Sequence, residues 1–271
     1  MKKITFIFLF VLITTFSSYA QQDNSNNLEY TGENFSLEGA LAIFKKAANL
    51  EEFEKMINEE NNNVNNLDLN GDGEIDYVVA NAIQENETHV IILSAYLSET
   101  EKQDIATIGI EKTGNDEAIL QIEGDEDLYA ANTIVEPLDI EEKAIKTGHG
   151  PSPFDIKTTA VVVNVWFWPS VRYIYAPSYV VWKSPYRWNV YPRWWKPWKP
   201  YRHAIFYTRC APHRVYYSRT PTRRVVVARK VYTPRRSRST VVVHTRKGTT
   251  IVHKNRRGKT TVVKTKRRTR R

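Results

Sequence analysis

The residues best suited to chemistry form a short acidic loop in the first third of the chain. Oxygen-bearing side chains recur there at close intervals, at Asp68, Asn70, Asp72 and Asp76. A hard cation such as Ca²⁺ binds six to eight oxygens at about 2.3–2.6 Å, and a loop that curls around one point supplies them at this spacing. The sequence therefore predicts a calcium site formed by these four side chains and the backbone carbonyl of Glu74.

Gly73 is the sixth residue of this loop, the position at which an EF-hand calcium loop turns sharply. The loop resembles the Asp-x-Asn-Gly-Asp-Gly-x-x-Asp loops of EF-hand-like, dockerin-like and β-propeller-repeat proteins. Val79 replaces the bidentate Glu of the twelfth position, and residues 77–80 are β-branched, aromatic or small, as in a strand. Calcium binding is therefore expected to be weak unless another oxygen closes the shell, and a metal-free Asn/Asp/Gly turn is the alternative. The nearby candidates for that oxygen are Glu59, Glu60 and Asn66.

The first twenty residues predict export. Two lysines precede an apolar run over residues 4–15, and small residues stand just before a cleavage point ahead of Gln21. This pattern is typical of a signal peptide over 1–20, too short to act as a membrane-spanning helix. We therefore expect a protein of the periplasm or the cell exterior, with no transmembrane helix after cleavage. Cys210 is the single cysteine, so an intramolecular disulfide is excluded.

Charge divides the rest of the chain into two halves. Residues 21–150 carry 29 acidic against 7 basic side chains, whereas residues 151–271 carry 1 against 30. Opposite charges of this size predict attraction within one chain or self-association between chains. Composition predicts a disordered leader over 21–34, an acidic calcium-loop domain over 35–147, a linker over 148–158, an aromatic proline-rich basic region over 159–217 and a basic β-prone or disordered tail over 218–271.

The acidic half has the pattern of an α+β domain. Ser36 and Asn49 are predicted to cap helices over 37–48 and 50–60, which we expect to form a helical hairpin. Four β-prone segments with short polar connections follow, over 75–84, 88–97, 104–112 and 117–123. We therefore predict a two-layer α+β fold in which the hairpin precedes an antiparallel four-stranded meander.

The basic half is rich in aromatic residues. All seven tryptophans lie between Trp166 and Trp198, and frequent prolines there predict an irregular chain. Interleaved aromatic and basic side chains can stack on planar or sugar groups and neutralise phosphates. We predict contact with an anionic envelope polymer (lipopolysaccharide or polysaccharide), a membrane surface or nucleic acid. The candidate residues are Arg172, Arg187, Trp188, Arg193, Trp194, Trp195, Lys196, Trp198 and Lys199.

Two alternatives remain open for this half. The aromatic residues could instead pack on the acidic domain, with the charges facing solvent. Residues 239–271 form an imperfect repeat that predicts a basic three-stranded meander or, equally, a disordered tail.

Several segments together resemble secreted proteins of Bacteroidetes for which no activity is established. They are residues 35–41, 53–55, 64–73 and 175–182. The resemblance implies the two-part layout and a cell-envelope location. The sequence has no Gly-x-Ser-x-Gly, phosphate-binding glycine loop, His-Glu-x-x-His or Cys-x-x-Cys motif. We interpret the chain as an exported, non-enzymatic calcium-binding protein; the alternative is a nucleic-acid-binding or structural surface protein with a metal-free loop.

Overall fold

The computed structural model describes residues 31–138 and 162–238, together with the backbone of 242–245, 248–254 and 260–266. The predicted signal peptide and linker lie outside the described residues. One antiparallel sheet of six strands organises the described part, and each strand pairs with the next in chain order. Its strands are β1 Val78–Glu85, β2 Thr88–Tyr96, β3 Lys102–Gly114, β4 Glu117–Gly124, β5 Ile134–Pro137 and β6 Tyr217–Thr220.

The sheet corrects the predicted four-stranded meander. Four strands lie near the predicted segments, but β5 and β6 add two more. β5 is only four residues long, and its partner β6 lies about eighty residues further along the chain. Neither strand shows a pattern of its own, because each has only four residues and their pairing joins segments far apart in the chain. β6 also spans residues 217–220, so the sheet itself joins the acidic and the basic halves.

Two helices precede the sheet, each shorter than predicted: α1 is Leu37–Lys46 and α2 is Leu50–Ile57. The predicted caps are formed, since Ser36 Oγ accepts the N–H of Gly39 at 2.9 Å and Asn49 Oδ1 accepts that of Glu52 at 2.8 Å. Helix α2 ends early at Asn58, whose side chain exchanges two hydrogen bonds with the backbone of Val78.

Both faces of the sheet are buried, which corrects the predicted two-layer arrangement. Helices α1 and α2 cover one face, where Phe44 and Phe53 pack in the core with Ile91 of β2. A third helix of the basic half, Val226–Tyr232, covers the other face over Val90 and its neighbours. The strands therefore carry apolar residues on both faces, because helices cover both faces of the sheet.

The basic half is less irregular than predicted. Its helices are α3 Pro169–Ile174, α4 His203–Arg209 and α5 Val226–Tyr232.

The end of the predicted disordered leader, Thr31–Asn34, forms a 3₁₀ turn. The N–H of Gly32 donates to the carbonyl of Leu128 and holds this turn in place. A separate antiparallel sheet contains β7 Val242–Thr245, β8 Gly248–Lys254 and β9 Thr260–Lys266, as in one of the two alternatives for the tail.

Candidate functional site

The acidic loop connects the helical layer to β1. Its two glycines adopt left-handed backbone angles, φ +78° at Gly71 and φ +85° at Gly73. No atom lies within 4 Å of where a Cβ would be built on either residue, so the backbone angle rather than space requires glycine. Glycine at these two positions lets the chain curl around a single point.

The loop carboxylates fold back on the loop. Asp68 Oδ1 accepts the N–H of Gly71 at 2.7 Å, and its Oδ2 accepts that of Gly73 at 3.0 Å. Asp72 Oδ1 accepts the N–H of Glu74 at 2.9 Å, while its Oδ2 accepts from the side-chain amide of Asn70 at 2.9 Å. Predicted ligands from four positions therefore surround one turn.

Asp76 is the innermost of the predicted ligands. It is buried, and its Oδ2 accepts the N–H of Leu69 at 2.5 Å. The pKa of Asp76 is raised to about 7, mainly by burial and also by the negative charges of Asp68 and Asp72, while the hydrogen bond from Leu69 acts to lower it. Among the described residues, no basic side chain forms an ion pair with any of these three carboxylates.

The donor set is chemically suited to Ca²⁺, because it consists of carboxylate, amide and carbonyl oxygens. In the described part of the chain, however, no three His, Cys, Asp or Glu side chains converge as a metal-binding group. Val79 at the twelfth position is buried in β1. The candidates for closing the shell bond elsewhere: Glu60 accepts the hydroxyl of Tyr201, and Asn66 bonds the backbone of Tyr201 at 2.7 and 2.9 Å.

The aromatic segment, defined as residues 182–201, lies directly against this loop. The N–H of Ile75 donates to the carbonyl of Trp198 at 2.9 Å. The ring of Tyr77, just after the loop, has its centroid 5.1 Å from that of Trp195 and 5.5 Å from that of Tyr186. The predicted metal ligands and most of the predicted polymer-binding residues are therefore neighbours, a proximity that sequence spacing does not reveal.

The structure divides the predicted polymer-binding residues into two groups. Trp195 and Trp198 are partly buried and form the packed side of the aromatic segment, and Trp188 is also partly buried. Arg172 stacks on Trp166, with its guanidinium carbon 5.1 Å from the ring centroid. Four of the predicted polymer-binding residues are basic, exposed and without an ion pair to another described residue: Arg187, Arg193, Lys196 and Lys199.

Arginines further along the chain are paired instead. These pairs join Arg219 to Glu38, Arg223 and Arg229 to Glu123, Arg224 to Glu136, Arg235 to Glu85, and Arg236 to Asp125. The predicted attraction between the two halves is therefore present within one chain. Because their charge is neutralised locally, these arginines are less available to an external polyanion than the basic residues of the aromatic segment.

Sequence reasoning missed Glu54, which is buried between α2 and the aromatic segment. Its Oε1 accepts from the hydroxyls of Tyr77 at 3.1 Å and Ser184 at 2.8 Å, and its Oε2 accepts the N–H of Ala80 at 2.8 Å. Burial raises the pKa of Glu54 to about 7, although these hydrogen bonds lower it. Nothing in the sequence distinguishes Glu54 from the exposed glutamates beside it, because its partners come from distant segments.

Glu54 also lines a cavity of about 240 Å³ between α2 and the aromatic segment. A second cavity of about 430 Å³ lies between α1 and α4 and includes Glu38, Cys210 and Arg214. Cys210 is buried there, and burial raises the pKa of its thiol to about 11, which makes it a poor nucleophile at neutral pH.

Comparison of the chain with models of protein families, with curated proteins and with solved structures gave no match. Within the described residues, none of the helices has both the length and the apolar character needed to cross a membrane.

Proposed function

We propose that this chain is an exported, non-enzymatic protein that binds Ca²⁺ in the loop of residues 68–76. The observation that carries this proposal is that three carboxylates follow one another along one turn without a basic partner among the described residues, although they do not converge as a metal-binding group in this structure. Asp68, Asp72 and Asp76 hold like charges close together, and Asp76 is also buried. A divalent cation would neutralise that charge and give the buried carboxylate a partner.

The hydrogen bonds inside the loop are compatible with this role. A carboxylate has about four lone-pair sites, so an oxygen that accepts a backbone N–H can still bind a metal ion. Asp68 and Asp72 each accept two hydrogen bonds within the loop. The amide oxygen of Asn70 and the carbonyl of Glu74 would add further hard ligands.

The proposed affinity is low. Val79 supplies no oxygen at the twelfth position, and Glu60 and Asn66 bond to Tyr201 instead of the loop. Calcium modules outside cells bind with Kd values of about 10⁻⁴–10⁻³ M, and an incomplete shell in an exported protein fits that range. The metal would fix the turn that leads from the helices into β1, which is a structural role.

Isothermal titration calorimetry of the full-length chain with Ca²⁺ tests this proposal, with two variants that each remove one negative charge. Asp72→Asn alters a side-chain ligand, whereas Glu74→Gln leaves the backbone carbonyl ligand in place. We expect Asp72→Asn to weaken binding by tenfold or more and Glu74→Gln to change it little. Equal losses would indicate a diffuse charge effect, and no heat with the native chain would contradict calcium binding.

We further propose that the exposed basic residues of the aromatic segment contact an anionic polymer of the cell envelope. Arg187, Arg193, Lys196 and Lys199 support this, since each is exposed and lacks an ion pair within the described part of the chain. Unpaired charges on a packed segment are suited to binding phosphate or sulfate groups. The partly buried tryptophans beneath them would hold the segment in place.

Binding to lipopolysaccharide and to DNA, each measured over a range of salt concentrations, tests this second part. Neutralising Lys196 and Lys199 together (Lys196→Gln, Lys199→Gln) should weaken binding and flatten its salt dependence. Neutralising the paired Arg235 and Arg229 in the same way is the matched control and should leave the salt slope nearly unchanged. Preference for DNA would favour the nucleic-acid alternative, and absence of binding to both polymers would contradict a polyanion partner.

A further inference from the structure

The cavity beside Glu54 has the composition of a site for an organic cation. It lies between α2 and the aromatic segment and has a volume of about 240 Å³. Ligand sites for drug-sized molecules measure about 300–1,000 Å³, so this cavity suits one small head group rather than a larger ligand.

Aromatic rings form one side of the cavity. They belong to Tyr77, Trp182, Tyr186 and Trp194. Tyr77 is buried, whereas Trp194 is 44% exposed, so the rings extend from the interior to the mouth. The faces of Trp and Tyr rings attract cations, and rings of this kind around a quaternary ammonium are a recurrent mode of recognition.

Carboxylates form the other side. Helix α2 contributes Glu51, Glu52 and Glu54, while Lys55 is the one basic residue among those lining the cavity. Glu54 is buried and has three hydrogen-bond donors but no ion pair among the described residues. An anionic ligand would be repelled by this lining, and a cation would be attracted to it.

The protein places a cation of its own at the edge of this site. The ammonium of Lys55 lies 5.9 Å from the ring centroid of Trp194. Its other contact is a loose 3.9 Å pair with Glu59, and the Lys55 side chain is 55% exposed. Such a weakly held side chain can be displaced, and its position shows that the Trp194 face accepts an ammonium group.

We propose that this cavity binds a small alkylated ammonium group, with Trp194 and Tyr186 packed around it and Glu51 and Glu54 as its counter-charges. This site shares no residue with the proposed metal ligands or with the exposed basic residues of the aromatic segment, and it goes beyond the function proposed above. It also assigns Trp194 to cation recognition, because an ammonium group of the protein already lies over its ring.

Titration of the full-length chain with choline, followed by tryptophan fluorescence and calorimetry, tests the site directly. The control ligand is the uncharged isostere of choline, in which carbon replaces nitrogen. We expect choline to bind about tenfold more tightly than the isostere, as a desolvated cation–π contact predicts. Equal binding of the two ligands, or no binding of choline, would overturn the proposal.

The variants of the cavity residues are at exposed positions, which keeps the test independent of folding. Trp194→Ala should abolish the preference for choline, and Glu51→Gln should reduce it several-fold. Lys55→Met, which keeps the apolar stem but removes the competing ammonium, should strengthen choline binding. Trp188→Ala, a tryptophan outside the cavity, is the matched control and should bind as the native chain does. An unchanged preference in Trp194→Ala would place the binding elsewhere and overturn the assignment.

A second arm distinguishes the source of the ammonium group. Phosphatidylcholine vesicles present the same group on a lipid surface, and co-sedimentation measures whether the chain binds it there. Binding to both vesicles and choline supports a head-group site, and binding to choline alone supports a site for a soluble ligand. Loss of calcium binding in Asp72→Asn should leave choline binding intact, so the two proposals fail separately.

Discussion

The N–H of Ile75 donates to the carbonyl of Trp198 at 2.9 Å, which joins the end of the acidic loop to the aromatic segment. Asn66 strengthens this junction through two hydrogen bonds to the backbone of Tyr201. The segment that supplies the exposed basic side chains is therefore anchored on the turn that holds the predicted metal ligands. Fixing that turn also fixes the base of the aromatic segment.

The two halves of the chain should fold together. The basic half contributes β6, α5 and buried residues such as Val165 and Ile174 to the structure around the sheet. A chain that stops after residue 150 should therefore show no cooperative unfolding transition in urea, monitored by circular dichroism. A chain that stops after residue 238 keeps these elements and is the control. A cooperative transition of the shorter chain with native stability would contradict the shared core.

The pH dependence of stability should depend on Glu54. Its pKa is about 7 in the folded protein against an ordinary value of 4.5, because it is buried. The folded state therefore holds this proton more tightly, and the stability it contributes is present below pH 4.5 and lost as the pH rises to about 7. Because of Glu54, the unfolding free energy of the native chain should fall by up to about 3 kcal/mol over this window. Glu54→Gln should remove that fall.

Urea titrations of the native chain and Glu54→Gln near pH 5 and pH 8 measure that difference. Asp76 and Asp104 also have raised pKa values, so the comparison between variants matters rather than the slope itself. Glu51→Gln, an exposed neighbour on α2, is the control. Parallel pH profiles for all three proteins would show that Glu54 does not titrate as expected.

The close contact between β3 and α5 should make Gly109 intolerant of a side chain. A Cβ at Gly109 would lie 2.7 Å from Cβ of Ala228 and 3.0 Å from Cγ2 of Val225. Gly109→Ala should therefore destabilise the chain by about 1–3 kcal/mol, measured by chemical denaturation. At Gly114 the nearest atom is the flexible carboxylate of Glu117, at 3.1 Å, so Gly114→Ala should cost clearly less. Equal costs at both positions would contradict the packing of α5.

The ion pair between Arg236 and Asp125 should matter far more than its surface neighbours. The Arg236 side chain is 7% exposed and that of Asp125 is 1% exposed, whereas Arg238 is 59% exposed. Arg236→Met leaves a buried carboxylate without its partner and should cost about 3–5 kcal/mol. Arg238→Met should change stability by less than about 1 kcal/mol. This ranking would be contradicted if the two variants unfolded at the same urea concentration.

Local sequence patterns predicted the parts of the fold that depend on neighbouring residues. Ser36 and Asn49 cap helices because a cap needs only the next few residues. The pairing of β5 with β6 and the packing of α5 on Gly109 depend on segments more than eighty residues apart, which no local pattern encodes.

The candidate site also combines features that neighbouring residues determine with features that distant segments determine. The oxygen-bearing residues of the loop were evident from their spacing, since a curled loop places close neighbours together. The proximity of Trp198 to that loop and the buried position of Glu54 arise only when distant segments fold against each other. Charge composition indicated attraction between the halves but could not distinguish the paired Arg235 from the unpaired Lys196.

Thermal unfolding of the full-length chain with Ca²⁺ and with a chelator tests the central claim most directly. A ligand that binds only the folded state stabilises it by about 2.7 kcal/mol at a hundred times its Kd, and the anchored aromatic segment should report the change through tryptophan fluorescence. We predict a higher midpoint with Ca²⁺ in the native chain and a clearly smaller rise in Asp72→Asn, since tenfold weaker binding leaves about half of that stabilisation or less. The same midpoint with Ca²⁺ and with chelator, at calcium concentrations well above a millimolar Kd, would contradict a calcium site in this loop.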